Sequence, residues 1–207
     1  MIFSGSNPII IIVGFIAIII ALSIHEAAHA LAADKLGDPT PRLDGRITLN
    51  PLAHLDLSGL LFMLFFGFGW GKPVMFDPYN LKNPRRDAAL ISLAGPASNF
   101  ILAICLSILM KTFNLFNLPL ISTIGYVLIR TNIFLGIFNL LPIHPLDGFK
   151  VVGGILSPEQ AIDWFQLQRY GMIFLLLLII PLGSHSMLDT IMQPIQNFIV
   201  PLFVPSL

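Results

Sequence analysis

Residues 8–33 read PIIIIVGFIAIIIALSIHEAAHALAA, and this stretch decides the fold. From Pro8 to Ile24 it contains no ionisable group, and only Gly14 and Ser23 interrupt the apolar side chains. As an α-helix the stretch extends about 39 Å, which is enough to cross a hydrocarbon core of about 30 Å. No basic residues precede it and no small-residue cleavage site follows it, so it does not fit a secretory signal peptide. We therefore expect a retained membrane helix over 8–33.

The whole chain shares this apolar character. Of its 207 residues, 56% are hydrophobic, and the mean hydropathy is +0.85. Eleven Lys and Arg balance eleven Asp and Glu, so the chain has no basic excess for binding nucleic acid and is too apolar to be disordered. The single cysteine, Cys105, excludes an intrachain disulfide. These features predict an all-α polytopic membrane protein, in which residues 1–207 form one domain with about five to six membrane segments.

Beyond the first helix, one apolar stretch is too short to span. The fifteen residues Leu57–Gly71 would reach about 22 Å as a helix, so we expect them to re-enter the membrane on the side from which they came. They lie in a loop region over 34–87, where Asp44-Gly45 and the alternating Arg46–Leu49 indicate a turn and a short strand. The prediction is a short re-entrant or β-hairpin element after the first helix. The later predicted membrane segments are 88–110, 118–142, 160–182 and 187–204.

The sequence His25-Glu26-Ala27-Ala28-His29 ends the apolar run. Positions i and i+4 share one face of a helix, so both imidazoles can reach one metal ion, with Glu26 beside it as an acid/base. Ionisable groups at the end of a charge-free membrane helix are costly and usually mark a function. The alternative is a pair of helix-end histidines that face the lipid headgroups.

A catalytic zinc ion needs a third protein ligand and an open position for water. Asp147 belongs to NLLPIHPLDG over 139–148, where two prolines and a glycine interrupt an apolar segment. Membranes tolerate such breaks mainly where a cavity or a protein surface satisfies the backbone. Taken alone, Asp147 also fits a helix-capping residue at the interface. The candidates for the third ligand are therefore Asp147, His54, His144, His185 and the scattered carboxylates.

Together these motifs resemble the site-2 protease family of intramembrane zinc metalloproteases. The HExxH motif at the end of a hydrophobic helix is followed, more than a hundred residues later, by N-x-x-P-x-x-P-L-D-G. The stretch AGPASN at 94–99 is similar to the G-P-x-x-N signature of the family. Four further stretches resemble one compact prokaryotic branch without appended soluble domains: LGDPT at 36–40, GRITLNPLAHLD at 45–56, GKPV at 71–74 and NPRRD at 83–87.

The resemblance implies an activity and the residues that perform it. The activity is hydrolysis of peptide bonds within or near the transmembrane segments of membrane-protein substrates, as in regulated intramembrane proteolysis. Asn99 and Asn139 are implied as polar groups near the substrate backbone. The implied residues of the catalytic centre are Glu26 as acid/base and His25, His29 and Asp147 as ligands of one Zn²⁺.

Three histidines keep open roles. His144 stands where such sequences often carry an apolar residue or proline, and it could support a ligand, compete as a ligand or lie at the membrane interface. His54 either orients a ligand or stabilises charge near the zinc, or it is a turn histidine bonded to the backbone. His185 follows Gly183-Ser184 in a predicted loop and is not expected to act in the site.

The distribution of charge predicts the orientation in the membrane. Asp147 must reach the ion held by the two histidines, so both motifs lie near the same face, and the 88–110 helix starts there. Four basic residues in the loop before that helix are typical of the cytoplasmic side. We expect an active site that faces the cytoplasm from the cell membrane. The nine of eleven basic residues on this face are Lys35, Arg42, Arg46, Lys72, Lys82, Arg85, Arg86, Lys150 and Arg169.

Two other functions compete with proteolysis. A membrane metal transporter also uses intramembrane histidines and carboxylates, but it needs ligands spread along a pathway, whereas these polar groups converge at one depth. A non-catalytic scaffold would not require an intact HExxH motif. In the proteolytic hypothesis, the Arg46–Leu49 strand pairs with a locally unwound substrate by β-augmentation. The sequence carries no signal for an oligomeric state.

Overall fold

The computed structural model describes residues 8–66, 69–181 and 186–204. Helices occupy most of these residues, and the described part contains isolated β-bridges but no strand. The predicted all-α fold is thereby confirmed. In chain order the helices are α1 (Pro8–Leu36), α2 (Thr40–Leu43), α3 (Leu57–Phe66), α4 (Pro84–Thr112), α5 (Pro119–Asn139), α6 (Asp147–Ile155), α7 (Pro158–Gln166), α8 (Gln168–Ile179) and α9 (Met187–Phe203).

Three of these helices, α1, α4 and α5, are long and apolar enough to cross a membrane. α7 and α8 add a fourth span if they count as one broken helix, since they are sufficiently long and apolar together and bend by 57° at the break. The described residues therefore support three to four spans, and the predicted five to six are not confirmed. α3 has ten residues and reaches only about 15 Å, while Pro194 and Pro201 lie within α9.

Helix ends follow from local chemistry. α1 continues to Leu36, where Gly37 has a φ of 111° that a residue with a side chain rarely adopts. α4 begins at Pro84, four residues before the predicted start. Proline suits the first turn of a helix, and Asp87 Oδ2 accepts a hydrogen bond of 2.8 Å from Asn83 N. The charged residues at the start of α4 concealed this turn from a prediction based on apolar runs.

The later helices follow the predicted order with one division. α5 and α9 correspond to the predicted 118–142 and 187–204 segments. The predicted 160–182 helix is divided into α7 and α8, and residue 182 lies outside the described part. α7 has its own start signal, a capping box in which Ser157 and Gln160 bond each other's backbone.

α1, α4 and α5 pack against one another through small and branched apolar side chains. Ala17 and Ala21 of α1 and Ala103 of α4 are completely buried. Ile129 and Ile133 of α5 are equally buried and form an apolar cluster with Ala103. Small residues let helix backbones approach closely, which is the main source of packing energy between membrane helices. This three-helix bundle is the frame that carries the polar residues at one of its ends.

The predicted strand over Arg46–Leu49 is wrong, because these residues form bends and irregular backbone. The backbone groups of Arg46 and Thr48 are bonded within the loop region. Thr48 N donates to Arg46 O at 3.0 Å, and Thr48 O accepts from His54 Nε2 at 2.8 Å. Local hydrogen bonds of this kind compete with sheet formation, so the alternating side chains do not produce a strand here.

The two ends of the predicted re-entrant segment Leu57–Gly71 meet. Leu55 and Gly71 form an antiparallel bridge, and Lys72 N donates to His54 O at 2.8 Å. α3 occupies the first ten residues of the segment, and residues 67–68 lie outside the described part. Because its ends are bridged, the segment leaves and returns on the same side, as a re-entrant segment requires. Its position in the membrane remains a prediction.

Asp38 joins the loop after α1 to the loop before α4. Its side chain is fully buried and accepts four hydrogen bonds of 2.6–3.1 Å, from Thr40 N, Thr40 Oγ1, Asp77 N and Asn80 Nδ2. Burial acts to raise the pKa of Asp38, but these hydrogen bonds lower it more, so the pKa lies below the usual aspartate value. The carboxylate thereby connects two loops that are far apart in sequence.

Replacing Asp38 with alanine is expected to destabilise the protein by about 2–4 kcal/mol, because it leaves several buried donors without an acceptor. Unfolding in detergent micelles measures this, with the exposed Asp44→Ala as the control that changes stability by less than about 0.5 kcal/mol. A depressed folded-state pKa gives stabilisation that is present above the unfolded pKa of about 3.9 and is lost as the pH falls through the folded pKa. The difference from wild type should persist at neutral pH and shrink below about pH 4; a difference independent of pH would contradict this role.

Labelling can establish whether Leu57–Gly71 re-enters. In a Cys105→Ser background, Asp56→Cys and Lys72→Cys should react with a membrane-impermeant maleimide from the same side of sealed vesicles. Phe113→Cys, at the other end of the 29-residue α4, should react only from the opposite side. Reaction of residues 56 and 72 from opposite sides would mean that the segment spans.

Candidate metal centre

Three side chains meet inside the helix bundle, toward the end at which α1 finishes. His25 and His29 lie one turn apart on α1, and Asp147 is the first residue of α6. His25 Nε2 lies 3.0 Å from His29 Nε2 and 3.0 Å from Asp147 Oδ2, and His29 Nε2 lies 3.2 Å from the same carboxylate oxygen. Both histidines are buried. Within the described ranges, this is the one group of three or more His, Cys, Asp or Glu side chains close enough to share a metal ion.

The outer nitrogen of each imidazole sets its tautomer. His29 Nδ1 lies 2.6 Å from Ile91 O, which can only accept, so Nδ1 carries the proton. His25 Nδ1 lies 2.7 Å from Asn99 Oδ1 and donates in the same way. In the neutral rings, both Nε2 atoms therefore present lone pairs to each other and to the carboxylate. Such an arrangement is repulsive unless a cation lies between the three donors.

The donor set fits zinc. Two imidazole nitrogens and one carboxylate oxygen, with a fourth position open to solvent or substrate, are the ligands of a typical catalytic zinc site. At bond lengths of about 2.0–2.1 Å, tetrahedral geometry separates the donor atoms by about 3.3 Å. The observed separations of 3.0–3.2 Å are close to that value. His25, His29 and Asp147 could therefore hold one Zn²⁺ without a large rearrangement.

A chain of buried amides holds His25 in position. Asn99 Nδ2 donates to Ala21 O at 3.1 Å and to Asn132 Oδ1 at 3.0 Å, which leaves Asn99 Oδ1 directed at His25. Asn132 Nδ2 in turn donates to Leu128 O at 2.9 Å. Asn99 and Asn132 are completely buried, so Asn99 lies behind His25 and its contacts are with the protein.

Asn132 was missed by sequence reasoning. It is a polar residue inside the apolar α5 segment, seven residues before Asn139 and so two turns away on the same helix face. Polar residues inside membrane helices usually pair with one another. That spacing was the available signal.

Gly95 supplies the space that the two imidazoles need. A Cβ at this position would lie 2.4 Å from His29 Nε2 and 2.6 Å from His25 Cε1. Real side chains do not tolerate such distances, so α4 can approach α1 at this level only through a glycine. The G-P-x-x-N motif therefore has two functions. Gly95 leaves space for the imidazole rings, and Asn99, one turn later on the same helix, supplies the amide that bonds His25.

Glu26 lies beside this group and lines the same small cavity, whose volume is about 140 Å³. Its Oε2 accepts a hydrogen bond of 3.0 Å from Val74 N, which belongs to the non-helical segment 72–77. Asn139, at the end of α5, also lines the cavity, and its Nδ2 donates to Leu135 O at 3.0 Å. Sequence reasoning did not identify Val74, because a backbone N–H leaves no signal in residue type.

His54 lies outside the cavity and stabilises the loop that precedes it. It is completely buried, its Nε2 bonds Thr48 O, and its Nδ1 has no hydrogen-bond partner among the described residues. Arg46, only 5% exposed, donates from its guanidinium to Ala53 O and to Lys72 O. These contacts place Lys72, and so the segment that reaches Glu26, against the loop. Of the two predicted roles, a residue that acts near the zinc or a turn histidine bonded to the backbone, the geometry of His54 fits the second.

His144 is not part of the three-residue group. Its ring lies edge-on to Phe149 with centroids 5.6 Å apart, and Gly171 of α8 packs against its Cβ and backbone. Burial, followed by the nearby Lys150 ammonium, holds the pKa of His144 below its usual value. His185, the remaining candidate, lies outside the described residues.

The amide chain makes a prediction about metal affinity. Asn99→Ala should weaken zinc binding by about 10–100-fold, because His25 loses the acceptor that fixes its tautomer and orientation. Competition with a chromogenic chelator measures the dissociation constant, and the exposed Asn117→Ala serves as the matched control. An unchanged constant for Asn99→Ala would show that this contact does not position the ligand.

Comparison with known proteins adds an independent line of evidence. The chain is 40% identical over 178 residues to YwhC of Bacillus subtilis (strain 168), covering 82% of this chain and 81% of YwhC. It is 31% identical over 182 residues to Rip2 of Mycolicibacterium smegmatis, covering 83% of this chain and 67% of Rip2. YwhC and Rip2 are provisionally named as zinc metalloproteases. No family model and no solved structure matches the chain.

A more distant relative carries the same description. The zinc metalloprotease MJ0392 of Methanocaldococcus jannaschii is 29% identical over 158 residues, covering 75% of this chain and 38% of MJ0392. These relatives are members of one family, and the identity to YwhC extends over four fifths of both chains. With a donor set that fits zinc at the end of its apolar helices, the chain belongs to the site-2 protease family of zinc metalloproteases.

Proposed function

We propose that this zinc metalloprotease cleaves peptide bonds within or beside the transmembrane segments of membrane-protein substrates, in regulated intramembrane proteolysis. The observation that carries the proposal is the position of Glu26 beside His25, His29 and Asp147, within the frame of apolar helices and 7–11 residues before the end of α1. A site at that level receives a substrate segment that is itself inside or at the edge of the membrane. An ordinary soluble protease has no need of such a frame.

His25, His29 and Asp147 hold the metal in this proposal. Bound zinc supplies Lewis-acid chemistry, lowering the pKa of water and polarising a peptide carbonyl. The Asp147 carboxylate offsets part of the cationic charge inside an apolar surrounding, where an unpaired charge is costly. Asn99 keeps His25 in the tautomer that leaves Nε2 free to bind.

Glu26 is the catalytic acid/base. Its carboxylate accepts a proton from the attacking water and returns that proton to the leaving amine. The hydrogen bond from Val74 N to Oε2 limits the rotation of this carboxylate. A general base is most effective when it is held within hydrogen-bond reach of the proton that it takes.

A helical substrate must unwind before its carbonyl can enter the cavity, because its backbone groups are bonded to one another. The Arg46–Leu49 stretch is not a strand, and the backbone groups of Arg46 and Thr48 are bonded to other residues of the loop region. The non-helical segment 72–77 is the better candidate for pairing with the substrate, because Pro73, Val74 and Phe76 line the cavity itself. Asn139, which also lines the cavity, is the polar side chain that we expect to contact the exposed substrate backbone.

We infer that the site faces the cytoplasm from the cell membrane. The segments that surround the cavity include Lys72, Arg85 and Lys150, and an excess of basic residues is typical of cytoplasmic loops. The opposite ends of α4 and α5 are joined by residues 113–118, which contain no basic residue. The metal transporter is the weaker hypothesis, because the described residues contain one metal-binding group and not a series along the helices.

Cleavage of a panel of single-span membrane proteins by purified enzyme in liposomes tests the proposal. Wild type should cleave at least one member, and a zinc chelator should abolish that cleavage. Glu26→Gln should lower the rate at least 10³-fold while it retains zinc, since it removes the proton acceptor and leaves the ligands intact. Glu159→Gln, a fully exposed residue of α7, is the matched control and should cleave normally. Normal cleavage by Glu26→Gln, or no cleavage of any panel member by wild type, would contradict the proposal.

A further inference from the structure

A second cavity adjoins the catalytic one. Its volume is about 590 Å³, and it lies between the start of α4, residues 76–78 and the helices α6 and α7. We call it the outer cleft. Its walls are mainly apolar, and they are formed by Pro78, Pro84, Ala88, Pro158, Ile162 and Phe165.

The two cavities share part of their walls. Phe76 and Lys150 line both of them, and Lys150 Nζ lies 5.0 Å from the centroid of the Phe76 ring in a cation–π contact. Lys150 is on α6, one turn after Asp147, so the junction lies next to the metal centre. These two shared residues place the outer cleft directly beside the catalytic cavity.

The outer wall of the cleft is held in place and yet exposes apolar side chains. Trp164 Nε1 donates to Phe149 O at 2.8 Å, and the Trp164 and Phe149 rings stack at 5.0 Å, which anchors α7 to α6. On the same helix Ile162 is 66% exposed and Phe165 is 37% exposed. A preformed apolar concavity gains free energy when an apolar group covers it, at roughly 25 cal/mol per Å².

We propose that the outer cleft is a specificity subsite, which receives an apolar side chain of the substrate polypeptide next to the scissile bond. The inference rests on the proposed proteolytic function and adds a substrate preference to it. The two wall residues that the cleft shares with the catalytic cavity favour the substrate chain as occupant. A lipid acyl chain is disfavoured, because two cationic side chains, Arg85 and Lys150, line the cleft.

Lys150 adds a polar requirement to the subsite. Its ammonium has three N–H donors, and within the described residues no carboxylate lies within ion-pair distance of it. At the junction it can donate to a backbone carbonyl or an acidic side chain of the bound segment. The preferred substrate segment therefore combines a large apolar residue with an acceptor beside it.

Photo-crosslinking tests occupancy without cleavage. Benzoylphenylalanine is placed at Ile162 in the full-length Glu26→Gln enzyme, and in a separate variant at Leu52, which is 81% exposed and lines neither cavity. In liposomes containing single-span proteins of the panel, position 162 should crosslink to them at least fivefold more than position 52. Equal yields at the two positions, or products at 162 that contain only lipid or a second copy of this chain, would overturn the subsite.

Kinetics provide the second readout. Ile162→Ser should raise KM about five- to tenfold for a cleaved panel member with an apolar residue beside the scissile bond, and should leave kcat nearly unchanged. Leu52→Ser should change neither, and an unchanged KM for Ile162→Ser would contradict the proposal. If position 162 crosslinks while wild type cleaves nothing, the proteolytic function fails and the binding site stands. If wild type cleaves without crosslinking at 162, the subsite alone fails.

Discussion

Two imidazole nitrogens, His25 Nε2 and His29 Nε2, face each other at 3.0 Å inside a bundle of apolar helices. Each ring donates its other proton to a fixed acceptor, so in the neutral rings the facing atoms are lone pairs that a bound cation would stabilise. The surroundings provide for that cation in several ways. Gly95 leaves room for the rings, Asn99 fixes one tautomer, and Asp147 contributes a negative charge from a helix far along the chain. The same residues of α4 therefore determine both how closely α4 packs against α1 and how the two histidines of α1 are oriented for a metal ion.

The catalytic glutamate depends on a different part of the chain. Glu26 is on α1, but the group that positions it is the backbone of Val74, after the Leu57–Gly71 segment. That backbone is in turn fixed by Arg46 and by His54 O, which bond neighbouring Lys72. The loop between α1 and α4 thus supports the acid/base through the hydrogen bonds that hold Lys72, two residues before Val74.

The features that could be predicted from the sequence depend on hydrophobicity along the chain and on the spacing of residues within one helix. A charge-free run requires a membrane helix, and i, i+4 histidines require one helix face, so α1 and its two histidines could be predicted. The meeting of Asp147 with them could be expected only through the family resemblance, because no local pattern connects residues more than a hundred positions apart. The predicted five to six spans are not confirmed, because α3 has only ten residues and α9, with 17 residues and two prolines, is not among the described helices that are long and apolar enough to cross.

Other features depend on contacts between elements that are far apart in the sequence, and the sequence pattern indicates them only weakly. The Arg46–Leu49 alternation predicted a strand, but the backbone groups of Arg46 and Thr48 bond within the loop region, and this local bonding prevailed. Asn132 acts through Asn99 on a neighbouring helix, so its function becomes visible only when α4 and α5 are packed.

The most direct test of the account is zinc K-edge absorption spectroscopy of the purified protein, together with its zinc content. The account predicts one zinc per chain, bound by two imidazole nitrogens and by oxygen at about 2.0–2.2 Å. It also predicts that Asp147→Ala loses most of the metal while Asp163→Ala, at an exposed position on α7, retains it. A spectrum without imidazole ligands, or full zinc occupancy in Asp147→Ala, would contradict the claim that His25, His29 and Asp147 form the metal centre.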